Sequence, residues 1–146
     1  MRPDLHDAPR PIDVDLLTAY VATEVLDDGG TVWSGPGAVP VDGEVWVVTA
    51  ENPFSELLDV AVNAAAMAEL AGVIRAAGHD PVVMVGRAPD LSWSEDCFGV
   101  RGDVGDLVRA WGRERGQHAV FRLTAGAHDV VSCWSGEVLA TRARVL

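Results

Sequence analysis

Thr49-Ala50-Glu51-Asn52-Pro53 places a hydroxyl, a carboxylate and a carboxamide side by side, directly after the apolar run Val45-Trp46-Val47-Val48. Such a set suits a polar small molecule. The hydroxyl and amide orient it, and the carboxylate takes a proton or a positive group. Ligands in sheet proteins gather where strands end and helices begin. The free N–H groups of Phe54, Ser55 and Glu56 would point at the same place. A structural reading is as simple: Asn52 caps a helix opening at Pro53, and Glu51 and Glu56 complement its dipole.

Other polar residues join this segment as candidates. Asn63 interrupts an apolar, alanine-rich stretch about three turns downstream. Buried, its amide would need partners. With Glu56 and Asp59 it also forms an i, i+3, i+7 stripe, which a solvated face would explain. Trp93-Ser94-Glu95 lies in a predicted loop from Arg87 to Asp96, where an aromatic and a carboxylate suit a binding lid. Tyr20 is the only tyrosine and reads as a core piece with a satisfied hydroxyl. Gln117 follows Gly116 and can bond across the start of a strand. The candidate binding set is therefore Tyr20, Thr49, Glu51, Asn52, Asn63, Trp93, Glu95 and Gln117, with no catalytic residue assigned.

Familiar signatures are absent. The chain has no phosphate-binding loop, no dinucleotide fingerprint, no zinc-protease helix and no nucleophile elbow. Gly99, Gly102 and Gly105 read as strand-end and turn residues. His6, His79 and His128 fall in arm or turn positions and read as solvated. His118 begins a strand and could face a cleft. Cys97 and Cys133 sit in apolar runs and read as buried, reduced thiols. No metal site and no cofactor are expected.

The elements that must position these residues follow from periodicity and punctuation. Leu16, Leu17, Tyr20 and Val21 recur at helical spacing behind Asp13 or Asp15 as cap. Strands are expected at Ala22–Leu26 and Thr31–Trp33, joined by the turn Asp27-Asp28-Gly29-Gly30. Glu44–Thr49 is a strand buried on both faces, hence central in its sheet. Asn52-Pro53 opens a helix that runs to Ala77 and stops at Gly78. Strands follow at Pro81–Gly86 and Cys97–Arg101, a helix at Val104–Arg115, and a hairpin of His118–Leu123 and Val130–Trp134. From Glu44 the order is β-α-β-β-α-β and one more strand. That predicts an α/β (α+β) fold, a ferredoxin-like sandwich with an N-terminal helix and hairpin and an extra C-terminal strand. A three-layer arrangement with mixed strands is the alternative. Residues 1–11, with three prolines, read as a disordered arm, and 12–146 as one domain.

Composition bounds the rest. The 146 residues are 49% hydrophobic, enough for a core without metal or disulfide. The net charge is −11, and every base is arginine. Residues 1–59 carry 12 acids against Arg2 and Arg10, a net of −10. Such a chain lacks the basic footprint of a nucleic-acid binder and would be repelled by an anionic membrane. Its amino terminus shows no signal segment, and no run is long enough to span a membrane, so a cytoplasmic location is expected.

The chain resembles the bacterial family catalogued as domain of unknown function 3293. The resemblance rests on Tyr20 with Thr23, the Thr49–Pro53 segment, Asn63 in the following helix, Trp93 with Glu95, and Gly116-Gln117-His118-Ala119-Val120. It covers roughly residues 14–134. One departure is Glu51, where an aromatic is expected. The resemblance implies no particular activity. It implies that Tyr20, Thr49, Asn52, Asn63, Glu95 and Gln117 occupy motif positions, as one shared site or as one buried hydrogen-bond network.

Three functions are open at this point. The first is a non-catalytic module that binds a small polar ligand or regulates. The second is an enzyme with Glu95 or Glu51 as general base and Thr49, Asn52 and Asn63 orienting the substrate. The third is a protein-interaction domain using its acidic amino-terminal half.

Overall fold

A computed structural model describes residues 12–144. The expected arm at 1–11 lies outside them. The described chain carries three α-helices: α1 (Val14–Ala22), α2 (Val60–Ala76) and α3 (Gly105–Glu114). Eight strands form one sheet: β1 (Glu24–Asp27), β2 (Val32–Ser34), β3 (Val45–Val48), β4 (Val82–Arg87), β5 (Ser94–Arg101), β6 (Ala119–Leu123), β7 (Ala127–Ser132) and β8 (Val138–Ala143). Their order across the sheet is β2-β1-β4-β5-β3-β6-β7-β8, and every pairing is antiparallel. The class is α+β. The alternative with mixed strands is set aside by the pairing directions.

Strand β3 sits inside the sheet, between β5 and β6, and all four of its residues are buried. The period of two in a strand explains why four apolar residues stand in a row. Trp46 and Val48 face a core built with Leu70 and Ile74 of α2 and Val108 and Trp111 of α3. Val45 and Val47 face a second core with Val25, Trp33, Met84 and Leu123. Helices α2 and α3 thus share one face of the sheet. The opposite face curls over the second core, which Val39 and Val41 help to close.

An eight-stranded twisted sheet tends to roll up, and here its two ends meet through side chains. His128 of β7 takes a 2.7 Å hydrogen bond between its Nδ1 and Ser34 Oγ of β2. Arg142 of β8 donates to the Val21 and Thr23 carbonyls and to Ser34 Oγ, each at 2.8 Å. Arg144, just beyond β8, donates to the carbonyls of Trp33, Val39, Thr124 and Ala125. These groups form a polar seam where no backbone ladder closes the curl.

Several sequence expectations need correction. Helix α2 does not open at Asn52-Pro53. Asn52 adopts the left-handed conformation, φ 47° and ψ 63°, and Pro53–Ser55 is a single 3-10 turn. Asn tolerates that conformation better than most residues, which overrides the extended preference before proline. The helix proper begins after Asp59, whose carboxylate accepts from the Ala61 N–H at 2.9 Å. Nor are the N–H groups of Ser55 and Glu56 free: they donate to the carbonyls of Asn52 and Pro53. The loop expected from Arg87 to Asp96 is shorter, residues 88–93, because β4 runs to Arg87 and β5 starts at Ser94, with Arg87 and Ser94 paired across the hairpin. His128 is no turn residue but a fully buried member of β7. Strand β8 was not expected at all.

Candidate functional site

A cavity of about 250 Å³ opens where β3 ends and β5 and β6 begin, beneath α1. Six stretches of chain build it, one of them β4 through Gly86. Helix α1 contributes Leu16, Ala19 and Tyr20, because Asp13 caps its first turn and fixes its entry: the Leu16 N–H donates to Asp13 Oδ1 at 2.7 Å. Strand β3 and its exit supply Val47, Val48 and Thr49. The turn after it supplies Asn52, Ser55 and Leu57. Trp93, Ser94, Glu95 and Cys97 come from β5 and its approach. Gln117, Ala119, Val120 and Phe121 come from β6 and the residues before it.

The polar end is organised by one pair of carboxamides. The Asn52 N–H donates to Asn63 Oδ1 at 3.0 Å, and Asn63 Nδ2 returns a 2.9 Å bond to Asn52 Oδ1. Asn52 Oδ1 also accepts from the Leu58 N–H at 2.9 Å. Backbone donors fix both amides, so neither can flip. Asn52 Nδ2 is thereby aimed at Glu95 Oε1, 3.4 Å away. Asn63 stands on the buried face of α2 with Met67, Leu70, Ala71 and Ile74, at helical spacing. The solvated stripe with Asp59 and Glu56 is therefore not its setting.

Neighbouring polar groups complete the scaffold. Thr49 Oγ1 donates to the Asp96 carbonyl at 2.7 Å and accepts from the Glu51 N–H at 3.0 Å. Glu51 Oε1 accepts from the Asp96 N–H at 3.2 Å, lacing the end of β3 to β5. Gln117 Nε2 donates to the Glu51 carbonyl at 2.9 Å. At the mouth, the Tyr20 hydroxyl and Ser55 Oγ are 3.2 Å apart, and the Tyr20 ring meets Phe121 edge to face at 6.3 Å.

Electrostatics sets Glu95 apart. Burial under α1 and beside β6 raises its carboxyl from 4.5 to about 7; the Asn52 amide pulls it down, and the nearby Glu51 charge pushes it further up. Glu51 is also raised, first by burial and then by Asp96, against the Asp96 N–H. Tyr20 is raised to about 12 by burial and stays a neutral hydroxyl. The Cys97 thiol is raised by burial and by Glu95, which makes it a poor nucleophile at neutral pH.

Of the residues singled out from sequence, Tyr20, Thr49, Asn52, Trp93, Glu95 and Gln117 line the cavity. Glu51 and Asn63 do not; they hold the lining residues from behind. Sequence reading missed Ser55, Leu57 and Phe121 as lining residues. Leu57 carried no signal, Ser55 was expected at the site through its backbone N–H and not its side chain, and Phe121 was legible as an apolar strand residue but not as a cavity wall. No group of three or more His, Cys, Asp and Glu side chains among the described residues could hold a metal ion.

The scaffold makes a first test available. Asn63→Ala removes the acceptor for the buried Asn52 N–H and a donor to Asn52 Oδ1. A loss of about 1–3 kcal/mol is expected in urea unfolding. The Glu95 midpoint should also rise, because a loosened Asn52 no longer stabilises the carboxylate. An unchanged stability would show that the amide pair holds nothing.

The family model described as a protein of unknown function (DUF3293) matches residues 48–120. The chain belongs to this family. No curated protein and no solved structure matches it. The DUF3293 segment runs from the last residue of β3 into β6 and contains Thr49, Glu51, Asn52, Asn63, Trp93, Glu95 and Gln117. Tyr20 and Phe121, which close the apolar end of the cavity, fall outside it. No helix among the described residues is long and apolar enough to cross a membrane.

Proposed function

We propose that this DUF3293 domain is a small-molecule-binding module whose ligand enters the cavity beneath α1 and meets Glu95 at its polar end. The reading rests on one observation: Asn52 joins the buried amide of Asn63 to a carboxylate that faces an otherwise mostly apolar cavity. A hydrogen-bonded scaffold that holds a half-buried acid against open space is costly for folding alone. The volume, just under the range of typical ligand sites, limits the occupant to a small molecule. Among the described residues the lining also lacks a competent nucleophile, since Cys97 is held as a thiol and Ser55 has no base beside it. The frame fits a ferredoxin-like sandwich over β3 to β6. The support is the element order β-α-β-β-α-β with strand order β4-β5-β3-β6 and both helices on one face; the β1–β2 and β7–β8 hairpins extend it at either side.

A thermal-shift screen of metabolites against the full chain tests the proposal. A ligand at 100 times its Kd stabilises a protein by about 2.7 kcal/mol. Ala119→Trp, which fills the cavity, should abolish the shift. Hits that survive unchanged in that variant would place binding elsewhere and overturn the reading.

A second reading has a specific observation in its favour. A carboxyl raised to about 7 is suited to general acid–base work at neutral pH. In that case Glu95→Gln would bind substrate but not turn it over. Equal turnover by both proteins would end the catalytic reading and leave the binding one intact.

A further inference from the structure

The hydrogen bonds around the cavity say which kind of group its polar end can take. Four side-chain donors around it are engaged inside the protein: Asn52 Nδ2 with Glu95, Asn63 Nδ2 with Asn52, Gln117 Nε2 with the Glu51 carbonyl and Thr49 Oγ1 with the Asp96 carbonyl. Its acceptors are not: among the described residues no donor reaches Glu95 Oε2 or Gln117 Oε1. An occupant that only accepts hydrogen bonds would leave both oxygens unmet. An anion would also meet the Glu95 charge with Glu51 close behind it. Among the described residues no arginine or histidine appears in the lining. The walls beyond this end are Tyr20, Trp93 and Phe121, whose ring faces attract positive charge, together with Leu16, Val47 and Ala119.

We propose that the ligand of this cavity is a small organic cation, a protonated nitrogen on an aromatic or aliphatic body, with its N–H groups on Glu95 and Gln117. The proposal rests on the binding-site reading above and names the class of molecule bound there. The ammonium donates to the two oxygens left open, Glu95 Oε2 and Gln117 Oε1, and neutralises the carboxylate that lines the cavity. The apolar body fills the space between α1 and β6.

A matched set of fragments separates the class from the site. 2-Phenylethylamine, 2-phenylethanol and 3-phenylpropionate share a body and differ in the head group. Each is titrated into the isotope-labelled full chain at pH 8, following the amides of Thr49, Gly86 and Glu95. The amine should bind at least tenfold more tightly than the alcohol, and the carboxylate more weakly still. Between pH 8 and pH 5.5 the amine should lose affinity by roughly thirtyfold as Glu95 takes up its proton. Glu95→Gln should lose the amine preference and keep the alcohol, and Glu95→Asp should keep part of it. Tighter binding of the alcohol or carboxylate at the same amides would overturn the cation and leave the binding site standing. Cavity amides unmoved by all three fragments at millimolar concentration would overturn both.

Discussion

Arg144→Ala should cost the fold about 3–5 kcal/mol, read as a lower urea midpoint, although the residue lies far from the cavity and just beyond the last strand. Arg144 is 7% exposed and, among the described residues, has no carboxylate hydrogen-bond partner. Its guanidinium is held by backbone carbonyls from three segments: Trp33 of β2, Val39 of the following loop, and Thr124 and Ala125 of the turn after β6. The planar five-donor fork is what allows one side chain to serve so many acceptors. Truncation leaves those carbonyls short of a donor and opens a cavity on the seam between β2 and β8. Arg144→Lys keeps the charge but not the fork, and should recover only part of the loss. A cost below about 1 kcal/mol for the alanine variant would mean that the curl closes without this residue.

His128 should make the protein acid-labile by about 4–5 kcal/mol between pH 6.5 and pH 3. The ring is fully buried. Its Nδ1 faces the Arg142 guanidinium at 3.1 Å and Ser34 Oγ at 2.7 Å. A guanidinium can only donate, so Nδ1 must accept and the neutral ring carries its proton on Nε2. Nε2 is buried without a hydrogen-bond partner among the described residues. Burial first, and the Arg142 charge second, lower the histidine from 6.5 to about 3; the Tyr20 backbone and Asp129 oppose this and Arg144 adds to it. The sign follows directly. Above pH 6.5 neither state is charged and the seam is intact. Below it the unfolded chain binds a proton that the folded chain refuses, so stability falls until about pH 3. Glu95 works in the opposite direction between 4.5 and 7, because there the folded state holds the extra proton. Ring resonances separate the two: His128 should stay neutral in the native protein down to about pH 4. A ring that titrates near 6.5 in the folded state would contradict the account.

How much of this was legible depends on whether a residue type names its environment. Val45-Trp46-Val47-Val48 does, because a continuous apolar run has only a doubly covered strand to occupy, and β3 lies inside the sheet. The alanine-rich stretch ending at Gly78 also names its element, since Gly78 sits at φ 88° where a helix needs its left-handed stop. The start of that helix was misread because Asn-Pro is a cap signal and also a signal for the left-handed turn that occurs here. The true cap, Asp59, carried the same chemistry seven residues later. The seam could not be read at all. Arginines at alternate positions of a terminal segment look like the wet face of an edge strand, and only the curl of the sheet brings Arg142 and Arg144 under β2. The polar set around Asn52 was visible as residues, but the feature that distinguishes it, a carboxylate shielded by α1 and β6, depends on segments far away in sequence.

The central claim is that the amide pair of Asn52 and Asn63 holds Glu95 as a desolvated carboxylate facing the cavity. The carbon-detected titration of the Glu95 carboxyl in the native protein reports on it without any substitution. A midpoint close to 7 is the expected result. A midpoint at the ordinary 4.5 would show the carboxylate to be open to water, and the site would lose the property on which both its binding chemistry and its ligand class depend.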